Sequence, residues 1–203
     1  GSKAAHNLHP QVGMSKGVLG RMLDAVARQD VAHKGGAYSI ANNPKILEGD
    51  IHAPDIISAN DGAVRFWGEL EGQGYNPSLA PTIHAILDAK STSTLGETIA
   101  GLHEAALDRS VLLGTAMDEA VLTASFGGIQ IEQQFEQVSK VINVSAQLDT
   151  ERAVFFVKDG GYDTHSDVGT VLNENLGGVD SALRSFVSEM KAMGRWDDVA
   201  ILS

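Results

Sequence analysis

The residues with the clearest chemical potential lie in the stretch DGGYDTH, 159–165. Asp163 and His165 stand two positions apart, so an extended backbone would point both side chains the same way. A carboxylate oxygen and an imidazole nitrogen together suit zinc, manganese or iron. Gly160 and Gly161 allow a sharp turn and a close approach of the backbone to a ligand. The pattern therefore predicts a metal site with Asp163 and His165 as ligands.

A second interpretation of this turn involves no metal. Asp163 or Ser166 could cap the helix that follows, and His165 would then be an exposed loop residue. A metal usually needs three or more protein ligands, and the spacing supplies two. Both interpretations remain open on the residues alone. The other histidines are weaker candidates, because they fall near the terminus (His6, His9), in loops (His33, His52) or on helix-like stretches (His84, His103).

The segments around the turn predict a β-strand, a helix and a second β-strand. RAVFFVK (152–158) is a nearly continuous apolar run, as expected for a strand buried on both faces. Residues 169–193 repeat apolar side chains at helical spacing, and DVAILS (198–203) predicts another buried strand. Such strands should be parallel neighbours joined by a right-handed crossover. Ligands of open α/β sheets bind beyond the carboxyl ends of the strands, which is where this turn falls.

The upstream sequence predicts the rest of one α/β domain spanning 1–203. Residues 16–28 predict a helix, and 37–40 and 54–59 predict short strands. Residues 61–93 are rich in Gly, Pro and Ser, which predicts a loop-rich excursion in which Phe66 and Trp67 are the anchors. Two long helices are then expected, over 94–125 and 129–148, before the strand–helix–strand unit at 152–203.

Composition narrows the function classes. The chain has 203 residues, 43% of them apolar, which is enough for a buried core. Its formal net charge of −11 argues against nucleic acid as a partner, because phosphate binding needs a basic face. The absence of cysteine excludes a disulfide framework, a thiolate metal site and a cysteine nucleophile. No stretch is apolar for the roughly 20 residues that span a bilayer, so no membrane span is predicted.

Several segments together resemble one family. GGYDTHSD after FFVK, then a helix that ends in MGRWDDVAILS, is similar to the family catalogued as domain of unknown function 1501. HPQ with KGVLGRMLDA, and AYSIANNPKILEG, resemble its upstream half. The resemblance covers nearly the whole chain, and its terminal third is the most specific part.

This resemblance implies an alkaline-phosphatase-like, doubly wound α/β fold with a two-metal site that hydrolyses phosphate or sulfate esters. By position it implies a metal-ligand role for Asp163 and His165, and it leaves zinc, manganese, iron, calcium and magnesium undistinguished. It identifies no catalytic residue here. It favours a secreted or extracytoplasmic location.

The chain also departs from the family pattern. The family continues its VAILS strand into S-[DE]-F-G-R and later an Asp-His pair, and it has an earlier strand that supplies a metal ligand and a nucleophile. None of these is present in this sequence. We therefore expect the central part of a larger domain, inactive alone and needing the remainder of its own chain or a protein partner. The alternative is a non-catalytic structural or interaction subunit on the same scaffold.

Overall fold

A computed structural model describes residues 16–29, 34–64, 79–89, 92–165 and 167–203. By internal contacts the chain divides into two compact units. The first comprises Gly1–Gly62 with Ala120–Ser203, and the second comprises Ala63–Glu119. The first unit includes the candidate site residues Gly160, Gly161, Asp163 and His165. The anchors Phe66 and Trp67 lie outside the described residues.

A small sheet organises the first unit and confirms the predicted α/β class. Its strands are β1 (Gly35–Ser39), β2 (Asp55–Ser58), β3 (Gly62–Ala63) and β4 (Arg152–Phe156), in the order β3-β2-β1-β4. Strand β1 pairs in parallel with β2 and with β4, and Tyr38 lies opposite Phe155 in the second pair. The rings of Tyr38 and Phe155 stack with centroids 5.4 Å apart. The strands predicted near 37–40, 54–59 and 152–158 are thus confirmed. The predicted burial of the 152–158 strand on both faces is wrong, since the residues of β4 are exposed or half-buried.

Helix α1 (Val18–Gln29) packs closely on the segment that follows β1. A Cβ on Gly20 would lie only 2.3 Å from the Glu48 carbonyl carbon, so this approach requires glycine. Just before the helix, the Gly17 N–H donates to the Glu48 carbonyl at 2.8 Å. The helix predicted over 16–28 is confirmed, and both Gly17, just before it, and Gly20, within it, face residues 45–49.

Two later helices form the main helical layer of the first unit. Helix α4 (Gln130–Asn143) precedes β4, and helix α5 (Val168–Ala192) follows it. The rings of Phe135 and Phe186 lie 5.1 Å apart between them. Closer to the start of α4, Ser181 donates a 2.6 Å hydrogen bond to Glu132. The contact nearer the start of α4 is also the one nearer the start of α5, so the two helices run in the same direction.

The second unit contains two helices, α2 (Leu79–Asp88) and α3 (Thr94–Glu119), which contact each other. Helix α2 lies within the predicted loop-rich excursion at 61–93, ten residues of which are therefore helical. Both long helices end earlier than predicted, α3 at Glu119 and α4 at Asn143. Apolar periodicity continued past these ends, but residues 144–149 form turns.

The predicted strand over 198–203 is wrong. Residues Trp196–Asp198 form a turn of 3-10 helix, and 199–203 belong to no strand. Leu202 is 89% exposed, which is not the environment of a buried strand. An apolar run becomes a strand only by hydrogen bonding to a neighbouring edge, and residues 199–203 form no such ladder. The parallel pairing predicted between this segment and 152–158 is therefore absent from the described sheet.

Helix α5 confirms the predicted helix over 169–193, but only part of its apolar face is buried. Phe186 and Met190 are buried, whereas Leu172 is 41% and Leu176 is 51% exposed. Helix α5 has 25 residues and α4 has 14, so their lengths are about 37 Å and about 21 Å. The shorter helix therefore covers only the carboxyl-terminal part of the longer one. No helix in the described ranges combines the length and apolarity needed to cross a membrane.

Candidate functional site at the carboxyl end of β4

The candidate site lies on the loop between β4 and α5. The Ile40 N–H donates to the Phe156 carbonyl at 2.9 Å, which extends the β1–β4 ladder to the end of the strand. Parallel strands end at the same edge, so the loop departs beside residues 40–43. Strand β1 lies between β2 and β4, and the strand order reverses between β1 and β4. Open α/β sheets bind ligands at such reversals, outside the carboxyl ends of the strands.

Local hydrogen bonds define the shape of this loop. The Tyr162 hydroxyl donates to Asp159 at 2.6 Å, and the Asn175 side chain donates to the Gly161 carbonyl at 3.0 Å. Gly161 has a φ of +86°, a left-handed conformation that side-chain-bearing residues rarely adopt. Gly160 has no positive φ, and open space surrounds the position of its missing Cβ. Of the two glycines, Gly161 is the one whose conformation requires glycine.

Asp163 and His165 lie close together on this loop. Asp163 Oδ1 and His165 Nε2 are 3.7 Å apart, and the two side chains are 95% and 90% exposed. Two donors each about 2.1 Å from a tetrahedral zinc ion lie about 3.4 Å from each other. The observed separation needs only a small side-chain rotation to reach that value. The pair therefore fits two positions of one metal ion.

These two residues do not complete a metal site. Within the described ranges, no group of three or more histidine, aspartate or glutamate side chains is arranged to hold a metal ion. Further ligands would have to come from other groups, from water or from a substrate. The structure also bears on the capping interpretation, because the residue before α5 is Asp167, which makes no side-chain capping bond. Asp163 lies outside the cap, and Ser166 is not among the described residues.

Asp159 and Tyr162 give the loop a second polar pair. The hydrogen bond from Tyr162 to Asp159, with smaller contributions from burial and from the negative charge of Asp159, raises the pKa of the Tyr162 hydroxyl. The phenol therefore keeps its proton and acts as a donor at neutral pH. One carboxylate oxygen of Asp159, Oδ2, is thereby engaged within the loop.

A second acidic residue of the first unit, on α1, is bonded more extensively than Asp163 or Asp159. Asp24 is buried, and its carboxylate accepts backbone N–H bonds from Asp50, Ile51 and His52 at 2.5, 3.2 and 3.0 Å. It also accepts a 2.9 Å bond from His52 Nδ1. Burial acts to raise the pKa of Asp24, but the bond from His52 and the three backbone bonds outweigh it and lower the pKa below its ordinary 3.8.

Sequence reasoning missed this cluster. The sequence predicts that His52 is a loop residue, and it indicates no role for Asp24, an acidic residue inside an amphipathic helix. His52 precedes β2, at the opposite end of the strands from the D-T-H turn. The cluster fastens residues 50–52 to α1, and we assign it a structural role.

The comparisons with known proteins do not test the family resemblance. No family model, no curated protein and no solved structure matches this chain.

Proposed function

We propose that this chain is the central part of a divalent-metal-dependent hydrolase of phosphate or sulfate esters, with Asp163 and His165 among its metal ligands. The proposal includes an alkaline-phosphatase-like, doubly wound arrangement of the complete sheet. The observation that carries it is the 3.7 Å approach of Asp163 Oδ1 to His165 Nε2. This approach lies beside the reversal of strand order between β1 and β4.

The chemistry of the pair suits this reaction class. A bound divalent metal supplies a Lewis acid for the ester oxygens and an activated water. Asp163 contributes a hard anionic oxygen, and His165 contributes a nitrogen that binds metal when neutral. Both side chains face solvent, so an ion and an ester could reach them without a conformational change. Because two ligands do not hold two metals, we expect no turnover from this chain alone.

Metal binding is therefore the deciding measurement, and ester hydrolysis by the longer protein is the second. We expect Asp163→Ala and His165→Ala to weaken zinc or manganese binding at least about tenfold and to abolish hydrolysis of aryl phosphates or sulfates. Asp180→Ala and His103→Ala are matched controls, because they remove one exposed carboxylate and one exposed imidazole elsewhere. Unchanged metal content and hydrolysis in both site variants would overturn the proposal.

A second candidate is a non-catalytic interaction subunit on the same scaffold. It is favoured by the position of β4 at the edge of the sheet, where no further strand of the described residues pairs with its outer side. Leu172, Leu176 and Leu202 add exposed apolar surface in the same unit. The partner would be the remainder of the chain or another protein. A monomer that binds no hydrophobic dye, measured by light scattering and fluorescence, would count against this candidate.

A further inference from the structure

The loop that carries Asp163 and His165 is fastened at its start by a buried glutamine of α4. Gln134 is fully buried, and its Nε2 donates to the Lys158 carbonyl at 2.8 Å. In return, the Lys158 N–H donates to Gln134 Oε1 at 2.8 Å. The side-chain amide thus pairs with the backbone of Lys158 in both directions, as a neighbouring strand would.

This pairing replaces the next step of the sheet. In a parallel ladder, the bond after Ile40 N–H to Phe156 O would run from the Lys158 N–H to the Ile40 carbonyl. Gln134 takes that N–H instead. The β1–β4 ladder therefore ends at Phe156, and the direction in which the chain leaves the sheet is set by α4.

The loop has two further attachments beyond Lys158. Asn175 of α5 donates to the Gly161 carbonyl, and the loop ends where α5 begins at Val168. Asp163 and His165 lie between these attachments, and their own side chains are almost wholly exposed. Since packing does not hold the pair, its geometry depends on the attachments of the backbone.

We infer that Gln134 is a positioning residue for the metal-ligand pair Asp163 and His165. This inference rests on the proposed metal site, and it assigns Gln134 no contact with metal or substrate. The buried amide fixes Lys158, Lys158 fixes the origin of the loop, and the loop presents the two ligands together. Loss of the amide removes the partners of the Lys158 N–H and carbonyl, whose two bonds to Gln134 are part-buried. We therefore expect the start of the loop to shift until water satisfies both groups.

Helix α4 also provides a matched control. Gln137, one turn further along, is 4% exposed and donates from Nε2 to the Ala59 carbonyl at 3.1 Å, beyond the end of β2. It resembles Gln134 in residue type and burial and also donates to a backbone carbonyl, at a different strand end. Unlike Gln134 it accepts no backbone bond, because its buried Oε1 has no hydrogen-bond partner among the described residues. Gln137→Met should therefore destabilise the protein without changing the metal-ligand pair.

The test is Co²⁺ binding by the chain, followed by the visible absorption of the bound ion, which reports coordination geometry. We expect Gln134→Met to weaken Co²⁺ binding roughly tenfold and to change the spectrum. Gln137→Met should leave both as in the wild type. Gln134→Glu keeps the acceptor for the Lys158 N–H but sets a buried carboxylate oxygen against the Lys158 carbonyl, so we expect an effect at least as large as that of Gln134→Met. The Gln134→Glu variant replaces Gln134→Met in this experiment if Gln134→Met does not fold.

Amide hydrogen exchange gives a readout that does not depend on metal. Exchange of the Lys158 amide, which donates to Gln134, should become faster in the Gln134 variants and stay unchanged in Gln137→Met. If Asp163→Ala abolishes Co²⁺ binding while Gln134→Met and Gln134→Glu bind as the wild type does, the positioning role is wrong and the metal site stands. If the wild type and Asp163→Ala bind Co²⁺ equally, the proposed function fails, and the positioning role fails with it.

Discussion

His52 Nδ1 donates a 2.9 Å hydrogen bond to Asp24 Oδ1 across 28 positions of sequence. The same carboxylate accepts three consecutive backbone N–H groups, so one buried side chain satisfies four donors. Carboxylates with several such donors are strongly stabilised in the ionised form. Asp24 therefore joins α1 to the segment that leads into β2.

Removal of this carboxylate should be among the most destabilising single changes in the first unit. Asp24→Ala leaves three part-buried N–H bonds and the bond from the His52 ring without their acceptor, which costs about 3 kcal/mol of unfolding free energy. Asp50→Ala is the control, since it removes an exposed ion pair with Arg28 and should cost less than about 1 kcal/mol. Urea denaturation measures both. Equal losses in the two variants would contradict the role given to Asp24.

The lowered pKa of Asp24 predicts a pH dependence of stability. A carboxyl group whose pKa is lower in the folded protein stabilises it fully above the unfolded pKa of about 3.8. That contribution is lost as pH falls through the lower folded pKa. The stability difference between the wild type and Asp24→Asn should therefore be constant near neutral pH and shrink below about pH 4. A difference that does not change with pH down to acid unfolding would show that the charge of Asp24 is unimportant.

A second buried carboxylate fastens the irregular segment before α4. Glu189 of α5 is 1% exposed and accepts N–H bonds from Thr123 and Ala124 at 2.9 and 2.5 Å. We expect Glu189→Ala to cost about 2–4 kcal/mol of unfolding free energy, because it leaves two part-buried amides without an acceptor. Glu174→Ala, an exposed site on the same helix, should change stability by less than about 0.5 kcal/mol. Thermal unfolding of the pair measures the difference.

Local patterns predicted most of the elements and little of what joins them. Strands β1, β2 and β4 are short apolar segments near Gly, Asn or Pro, and the apolar residues of α5 recur at helical spacing over a long stretch. Both kinds of element can therefore be predicted from the sequence. The contact between Asp24 and His52 depends on how α1 packs on a segment 28 positions away. No periodicity contains that information.

The two missed features at the end of the chain have different physical origins. Residues 199–203 read as a buried strand because their composition is apolar, yet a strand also needs an edge to pair with. The exposed half of α5 has the same period as its buried half, and only the length of α4 distinguishes them. By contrast, the nearness of Asp163 and His165 follows from a spacing of two residues. Their role as metal ligands stays a prediction.

The exposed half of α5 gives a prediction about surface behaviour. Leu172 and Leu176 are 41% and 51% exposed, so Leu172→Lys with Leu176→Lys should cost little stability while reducing self-association or hydrophobic dye binding. Phe186→Ala, on the buried half of the same helix, should cost about 3–5 kcal/mol. Light scattering and chemical denaturation separate the two effects. A large destabilisation by the paired lysines would mean that this face is packed against other residues.

The last prediction uses the two adjacent glycines of the candidate site. Gly161 has a φ of +86°, and a Cβ there would lie 3.3 Å from the Asn175 amide nitrogen. Gly161→Ala should therefore cost about 1–2 kcal/mol, or else shift the loop to a conformation that alanine adopts. Gly160→Ala meets no atom within 4 Å and should stay within about 0.5 kcal/mol of the wild type. Because Asp163 and His165 follow directly, only Gly161→Ala should weaken zinc binding, measured by calorimetry. Equal zinc affinity in the two variants, at full folding, would show that the left-handed turn does not position the ligands.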